Sequence, residues 1–224
     1  MIVKLRLKII YEKNKIKRKY ISYIQKKKNA LLITGDGERY DPDLTLWKDL
    51  NHLKRYQFAS GFVQKEDTVI DIACGTGYGT KILGKKAKNV YGVDISQIAI
   101  DYAKKKYQLK NISYILSNFW DFDIKANIIV SFETLEHIPN ETGIIAIFNK
   151  LLDLSDKYVI ASVPYKEKEG NNPHHIHFNL DENSFFFNNS NFKLDFFYQK
   201  SDGTIISNKN INDSYQNLII LVSK

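Results

Sequence analysis

The sequence predicts an α/β fold: a doubly wound, mostly parallel sheet of about seven strands, with an antiparallel C-terminal strand. Two observations carry this. Apolar runs of strand length recur at 68–73, 90–94, 112–116, 127–132 and 157–163, with helical segments near 78–86, 96–107 and 141–154 between them. Such alternation closes into a parallel sheet covered on both faces. The pattern then changes. A short helix near 181–187 precedes runs at 192–198 and 217–223, separated only by a polar loop. Two strands without a long helix between them pair antiparallel at the sheet edge.

Ahead of this domain, assigned to 34–224, residues 1–33 read as a basic appendage. The chain has 224 residues, 43% of them hydrophobic and 26% charged, enough to bury a full core. Its net charge is +8, which at face value points to nucleic acid or an anionic surface. However, residues 1–28 hold eleven Lys and Arg against one acid, Glu12, leaving 22 basic and 24 acidic residues elsewhere. The positive excess therefore belongs to the appendage. There Ile9, Ile16, Tyr20, Tyr23 and Ile24 fall on one helical face with Lys and Arg opposite. Residues 34–43 form a turn-rich linker, and a helix follows from about Leu44 to Ser60, ended by Gly61.

The single cysteine, Cys74, excludes an intrachain disulfide and a cysteine-rich zinc site. A reducing cytoplasm is the natural compartment. No run approaches the ~20 apolar residues of a membrane span. The first ten residues alternate apolar and basic, unlike the ~7–15 apolar residues of a secretory signal.

The strongest motif is Thr68-Val-Ile-Asp-Ile-Ala-Cys-Gly-Thr-Gly-Tyr-Gly79. A strand runs straight into three glycines and then a helix. Glycine lets the backbone turn sharply and approach a ligand, and a helix N-terminus offers free N–H groups. Asp94 closes the next strand, 19 residues after Gly75. The carboxyl ends of adjacent strands form the ligand crevice in this topology, so Asp94 is placed to accept both hydroxyls of a ribose. The spacing Gly75-x-Gly77-x-Gly79 differs from the G-x-G-x-x-G of dinucleotide enzymes, and no phosphate-binding lysine is present. An ordinary dehydrogenase is the competing reading, and the order of the motifs disfavours it.

These segments resemble the class I S-adenosylmethionine-dependent methyltransferases, which share a Rossmann-like sheet. Asp71-Ile-Ala-Cys-Gly-Thr-Gly77 resembles the family's first motif, with Ala73 in place of its first glycine. Tyr91-Gly-Val-Asp94-Ile-Ser resembles the second, and Ile129-Val-Ser-Phe-Glu133-Thr-Leu-Glu136-His137 the fourth-strand motif. The resemblance implies S-adenosylmethionine as cofactor, held by Asp71, Ala73, Gly75, Gly77, Tyr78, Asp94, Ile95, Asn118, Phe119 and Glu133. In that scheme the Asn118 amide oxygen and the Phe119 N–H meet the adenine.

The acceptor is narrowed by exclusion. Enzymes that methylate exocyclic base nitrogens carry an Asp/Asn-Pro-Pro-aromatic loop after the fourth strand. Here that place reads Ser131-Phe-Glu-Thr134. Methylation of pyrimidine C5 needs a Cys nucleophile, and Cys74 lies in the cofactor loop. Nucleobase chemistry thus loses support. His137, just past the fourth strand, is the first candidate base; capping or orienting the following helix is the alternative. A second cluster, Asn171-Asn-Pro-His174-His175-Ile-His177, follows the fifth strand and resembles a segment of methyltransferases acting on small polar molecules and surface-glycan sugars. His175 is the preferred catalytic residue there, with His174 and His177 meeting substrate. The cluster reads as a polar substrate loop rather than a metal site, since three such close histidines rarely complete one alone.

A third constellation, Gly37-Glu38-Arg39-Tyr40 with His52, Arg55 and Tyr56, resembles family segments that lid the cofactor. Arg55 is expected to pair with the cofactor carboxylate. Glu38, Arg39 and Tyr40 are expected to close over the acceptor, while a solvated helix face is the alternative. Trp47, Trp120 and Phe185–Phe187 read as core or pocket wall. The favoured function is O-methylation of a small polar acceptor, such as a sugar or phosphate-type group of a surface glycan. An RNA or protein methyltransferase docking through the tail, and a non-catalytic cofactor-binding module, are the alternatives. Expected partners are that acceptor and, through residues 1–28, an anionic membrane surface, a partner enzyme or a phosphorylated substrate. The expected state is monomer or homodimer.

Overall fold

The computed structural model describes residues 19, 21–22, 24–35, 39–44, 50–139, 143–185, 192–210 and 212–224. Helix α1 (24–34) leads into a turn at 42–44. Then follow α2 (Leu50–Ser60), β1 (Thr68–Ile72), α3 (Tyr78–Gly84), β2 (Asn89–Asp94), α4 (Gln97–Lys106), β3 (Ile112–Leu116) and β4 (Ala126–Phe132). The chain continues through a 3-10 turn (Leu135–His137), α5 (Ile144–Leu154), β5 (Ser155–Pro164), a 3-10 turn (Glu182–Phe185), β6 (Lys193–Gln199), β7 (Ile205–Ile206) and β8 (Asn217–Ser223).

The sheet order is β3-β2-β1-β4-β5-β8-β6-β7. The first five strands are parallel, and β8 is antiparallel to both β5 and β6. The described sheet thus has eight strands rather than the seven expected. The extra one, β7, is two residues long and pairs with the end of β6. It hides in the polar 199–216 loop because two residues cannot show a period. The expected antiparallel pair is real, but β8 lies inside the sheet, between β5 and β6, not at its edge.

Period-two alternation sorts side chains between two cores. Ile70, Ile72 and Ile129 pack with Phe148 and Leu151 of α5 and with Phe185. Val69, Ile128 and Val130 pack against Tyr56, Leu83 and Ile100 of α2, α3 and α4. That alternation also sends Asp71 to the α2–α3 face, although it sits at the ligand end of β1. Ser96 caps α4 by accepting from the Ala99 N–H, as the sequence predicts. The predicted helix near 181–187 is only a 3-10 turn. Trp47, Phe186, Phe187 and the face residues Ile9, Ile16, Tyr20 and Tyr23 lie outside the described residues. Ile24, the fifth, is exposed. Among the described residues no helix is long and apolar enough to cross a membrane.

Candidate active site

The strand order reverses between β1 and β4, and a crevice opens at the carboxyl ends of the strands there. It holds a cavity of about 700 Å³. One wall is the β1–α3 loop. Ala73 sits there at φ 57° and Gly75 at φ 54°, so the loop turns through left-handed backbone. For Ala73 this costs about 1 kcal/mol. Across the crevice Glu133, at the end of β4, also has positive φ, 50°. Strained residues at both lips of one crevice point to function.

Asp94 braces the glycine loop. Its Oδ2 accepts the Gly75 N–H at 2.9 Å, and its Oδ1 accepts the Ser96 N–H at 2.8 Å. Arg39 Nη2 lies 3.5 Å from Oδ1. Next to it, Ile95 is 68% exposed on the cavity, an apolar surface that a flat ring can cover. Phe119 and Trp120 stand edge to face at 4.9 Å on the same side, and Trp120 is a cavity wall rather than core.

The far side is aromatic. Tyr40 stacks on His52 at 5.4 Å and meets Tyr78 edge-on; Tyr56 packs edge-on to Tyr78 and Phe132. The Tyr40 segment is pinned twice. Thr76 Oγ1 donates to the Tyr40 carbonyl at 2.9 Å. Buried Asp41 accepts from the Tyr107 hydroxyl at 2.8 Å and from Lys106 Nζ at 3.1 Å. Burial, with Arg55 second, holds His52 well below its ordinary pKa, so the ring is neutral. Burial, then the Asp71 and Asp94 charges, pushes the Cys74 thiol well up, which makes it a packing group.

The polar end is built from two segments. Glu133 Oε1 accepts from Ser162 Oγ at 2.7 Å, and its Oε2 from Asn217 Nδ2 at 2.6 Å. His137 lines the cavity, with Nδ1 3.1 Å from the His174 carbonyl. The Ile176 and His177 N–H groups donate to the Glu136 carbonyl at 2.9 and 3.2 Å. These bonds dock the 172–177 loop onto the turn after β4.

Thus Arg39, Tyr40, Ala73, Gly75, Tyr78, Asp94, Ile95, Asn118, Phe119, Glu133, His137 and His174 share one cavity. Five expectations need correction. Arg55 is 2% exposed and donates to Gln199 Oε1 at 2.8 Å and Asn217 Oδ1 at 2.9 Å, so it braces β6 and β8 instead of reaching the cofactor. A residue 100° further round α2, Tyr56, takes the cavity side. Asp71 is fully buried behind the loop, accepting from Thr80 Oγ1 and the Tyr56 hydroxyl. Gly77 faces away from the cavity: a Cβ there would stand 2.6 Å from that of Ala103. His177 Nε2 lies 3.0 Å from the Ile138 carbonyl, a loop pin rather than a substrate contact. His175 sits behind His137, between Glu167 on Nδ1 and Asn172 on Nε2, and is not a cavity wall. Asn118 is on the cavity, but its Oδ1 already accepts the Trp120 N–H at 3.0 Å. Glu38 lies outside the described residues.

Sequence reasoning missed Glu136, which is 0% exposed beneath His137. Its signal was the Glu133-x-x-Glu136-His137 spacing, where a carboxylate follows the strand end into the turn.

A family model described as a methyltransferase domain matches residues 63–214, over half of the chain. This chain belongs to that family. Its cofactor is S-adenosylmethionine, and the residues fit it. Asp94 brings a carboxylate to the cavity that could accept from a ribose diol, Ile95 and Phe119 offer apolar cover for a base, and the glycine loop lines the same wall. The chain is 31% identical over 91 residues to a malonyl-[acyl-carrier protein] O-methyltransferase of Priestia megaterium, covering 40% of this chain and 33% of that one. It is 31% identical over 111 residues to a ubiquinone biosynthesis O-methyltransferase of Pasteurella multocida, covering 43% and 45%. The chain therefore spans less than half the length of these curated relatives. The N-methyltransferase NodS of Bradyrhizobium japonicum WM9, solved with S-adenosyl-L-homocysteine, shares the fold with a TM-score of 0.52. It covers 63% of this chain and 74% of that one at 14% identity.

Proposed function

We propose that this chain is an S-adenosylmethionine-dependent O-methyltransferase acting on a small polar acceptor, with a sugar or phosphate-type group of a surface glycan as the favoured class. One observation carries the reading: the cavity has apolar and aromatic walls at Ile95, Phe119 and Tyr40 and a polar end at Glu133, His137 and His174. A hydroxylated acceptor matches that polar end. The two curated relatives named above are called O-methyltransferases, which supports oxygen as the atom methylated.

When bound, S-adenosylmethionine supplies an electrophilic methyl on sulfur, so the protein must align an acceptor lone pair and exclude water. Asp94 and the glycine loop fix one end of the cofactor. Tyr40, held by Thr76 and beside the anchored Asp41, forms part of the cavity wall. Glu133 and His137 line the polar end of the cavity, and on this reading they orient the acceptor hydroxyl. Orientation of this kind is the protein's main contribution when the cofactor carries the chemistry.

The test is a mass-spectrometric screen of glycan precursors and other small hydroxylated acceptors. The reading expects a cofactor-dependent gain of one methyl on oxygen. Methyl gain only on RNA or protein, lost on removing residues 1–28, would replace it.

A further inference from the structure

Glu136 poses a problem that the fold does not solve. Its carboxylate is wholly buried, and neither oxygen has a hydrogen-bond partner. Arg55, whose charge acts on Glu136, makes its hydrogen bonds to Gln199 and Asn217 instead. An uncompensated buried carboxylate must either hold a proton or take a cation.

Two imidazoles lie beside it. One ligand atom each from Glu136, His137 and His175 fall within 4.8 Å of one another. The His137 and His175 rings meet at 4.6 Å, nearly perpendicular. Each ring meets a protein oxygen at Nδ1. His137 Nδ1 lies 3.1 Å from the His174 carbonyl. His175 Nδ1 contacts the Glu167 carboxylate, which leaves its Nε2 as the ligand atom. A carbonyl or carboxylate behind a ligating ring fixes its tautomer and raises its basicity. We infer that Glu136, His137 and His175 form a site for one divalent transition-metal ion at the polar end of the cavity.

The fit has a stated cost. Bonds of about 2.1 Å place ligand atoms about 3.4 Å apart in a tetrahedral site. The three groups must therefore draw together by about 1 Å, and the Asn172 amide, 2.9 Å from His175 Nε2, must yield its place. Mixed imidazole and carboxylate ligands suit Mn²⁺, Fe²⁺, Co²⁺ or Zn²⁺. The ion would neutralise Glu136 and put positive charge beside the acceptor. That last role rests on the proposed function; the binding does not.

The experiment uses the full chain without a polyhistidine tag, stripped by chelator. Mn²⁺ binding is followed by electron paramagnetic resonance and Co²⁺ binding by its visible absorption, each with S-adenosyl-L-homocysteine titrated in parallel. About one ion per chain is expected. Glu136→Gln and His175→Gln should each weaken binding at least tenfold while S-adenosyl-L-homocysteine affinity stays within threefold. Intact S-adenosyl-L-homocysteine binding shows that the fold survives. A folded wild type that binds neither ion at millimolar concentration overturns the site and leaves Glu136 a buried neutral acid. Binding that survives both substitutions overturns it as well. If the ion binds and no hydroxylated acceptor is methylated, the site stands and the proposed function fails.

Discussion

The Tyr56 hydroxyl on α2 donates to Asp71 at the ligand end of β1 across 3.1 Å. The same carboxylate accepts from Thr80 Oγ1 at 2.6 Å, so one buried acid joins α2, β1 and α3. Burial pushes the Asp71 carboxyl up to about 7, against the pull of those two hydrogen bonds. Its unfolded pKa is near 4. Between about 4 and 7 the native state therefore binds more protons than the unfolded one, and stability falls as pH rises through that window. Asp71→Asn removes this fall while keeping one acceptor oxygen. Its Tm should vary less than the wild type's from pH 4 to 7; parallel curves would count against a protonated Asp71.

Asp94 supports the glycine loop and is offered to the cofactor at once. Asp94→Ala removes charge-assisted hydrogen bonds, each worth about 1.5–3 kcal/mol. S-adenosyl-L-homocysteine affinity should fall at least tenfold by calorimetry. Wild-type affinity would remove Asp94 from the binding site.

Two glycines should respond to alanine for different reasons. A Cβ on Gly79 would lie 2.1 Å from Tyr56 Cζ, in the packed α2–α3 contact. Overpacking of that kind costs typically about 1–3 kcal/mol, with more where the ring cannot move. Gly170, at φ 84°, has open space around it, so alanine there pays only for left-handed backbone, about 1–2 kcal/mol. Denaturant unfolding should rank Gly79→Ala as the more damaging. The reverse order would mean that Tyr56 gives way freely.

Arg55 and Arg39 should separate stability from binding. Arg55→Ala leaves Gln199 and Asn217 oxygens unpaired in the core and takes the cation from the neighbourhood of two glutamates. Losses of about 3–5 kcal/mol follow when one member of such a buried set is removed. Arg39 borders the cavity and touches Asp94 only at 3.5 Å, so Arg39→Ala should alter cofactor affinity and barely move Tm. Loss of affinity in Arg55→Ala with unchanged stability would restore the cofactor-carboxylate role expected from sequence.

Most of the architecture was legible because it rests on local signals. The strand runs, the Ser96 cap and the glycine loop each follow from residues within a few positions of one another. The place of Asp94 on the cavity was legible because it closes a strand at the carboxyl edge of the sheet. Arg55 misled because helical spacing fixes which residues share a stripe, not what lies opposite. Its partners, Gln199 and Asn217, are over 140 residues away. His175 misled for a similar reason: Asn172 and Glu167 decide its position, and neither shows a pattern. Asp71 looked like a motif acid, yet period-two alternation on β1 turns it from the cavity.

The position of β8 has a bearing on how the chain assembles. Strand β8 is the last of the eight described strands in sequence, yet among the described residues it alone bridges β5 and β6. The β6–β7 hairpin has no place in the sheet until residues 217–223 arrive. A nascent chain can form β1 to β5, but β5 then shows a bare edge rich in Val, Ile and Ala, with β6 waiting as a second sticky strand. Closure of the sheet is thus a late, long-range step, in which the final strand slides between two partners and removes both exposed edges together.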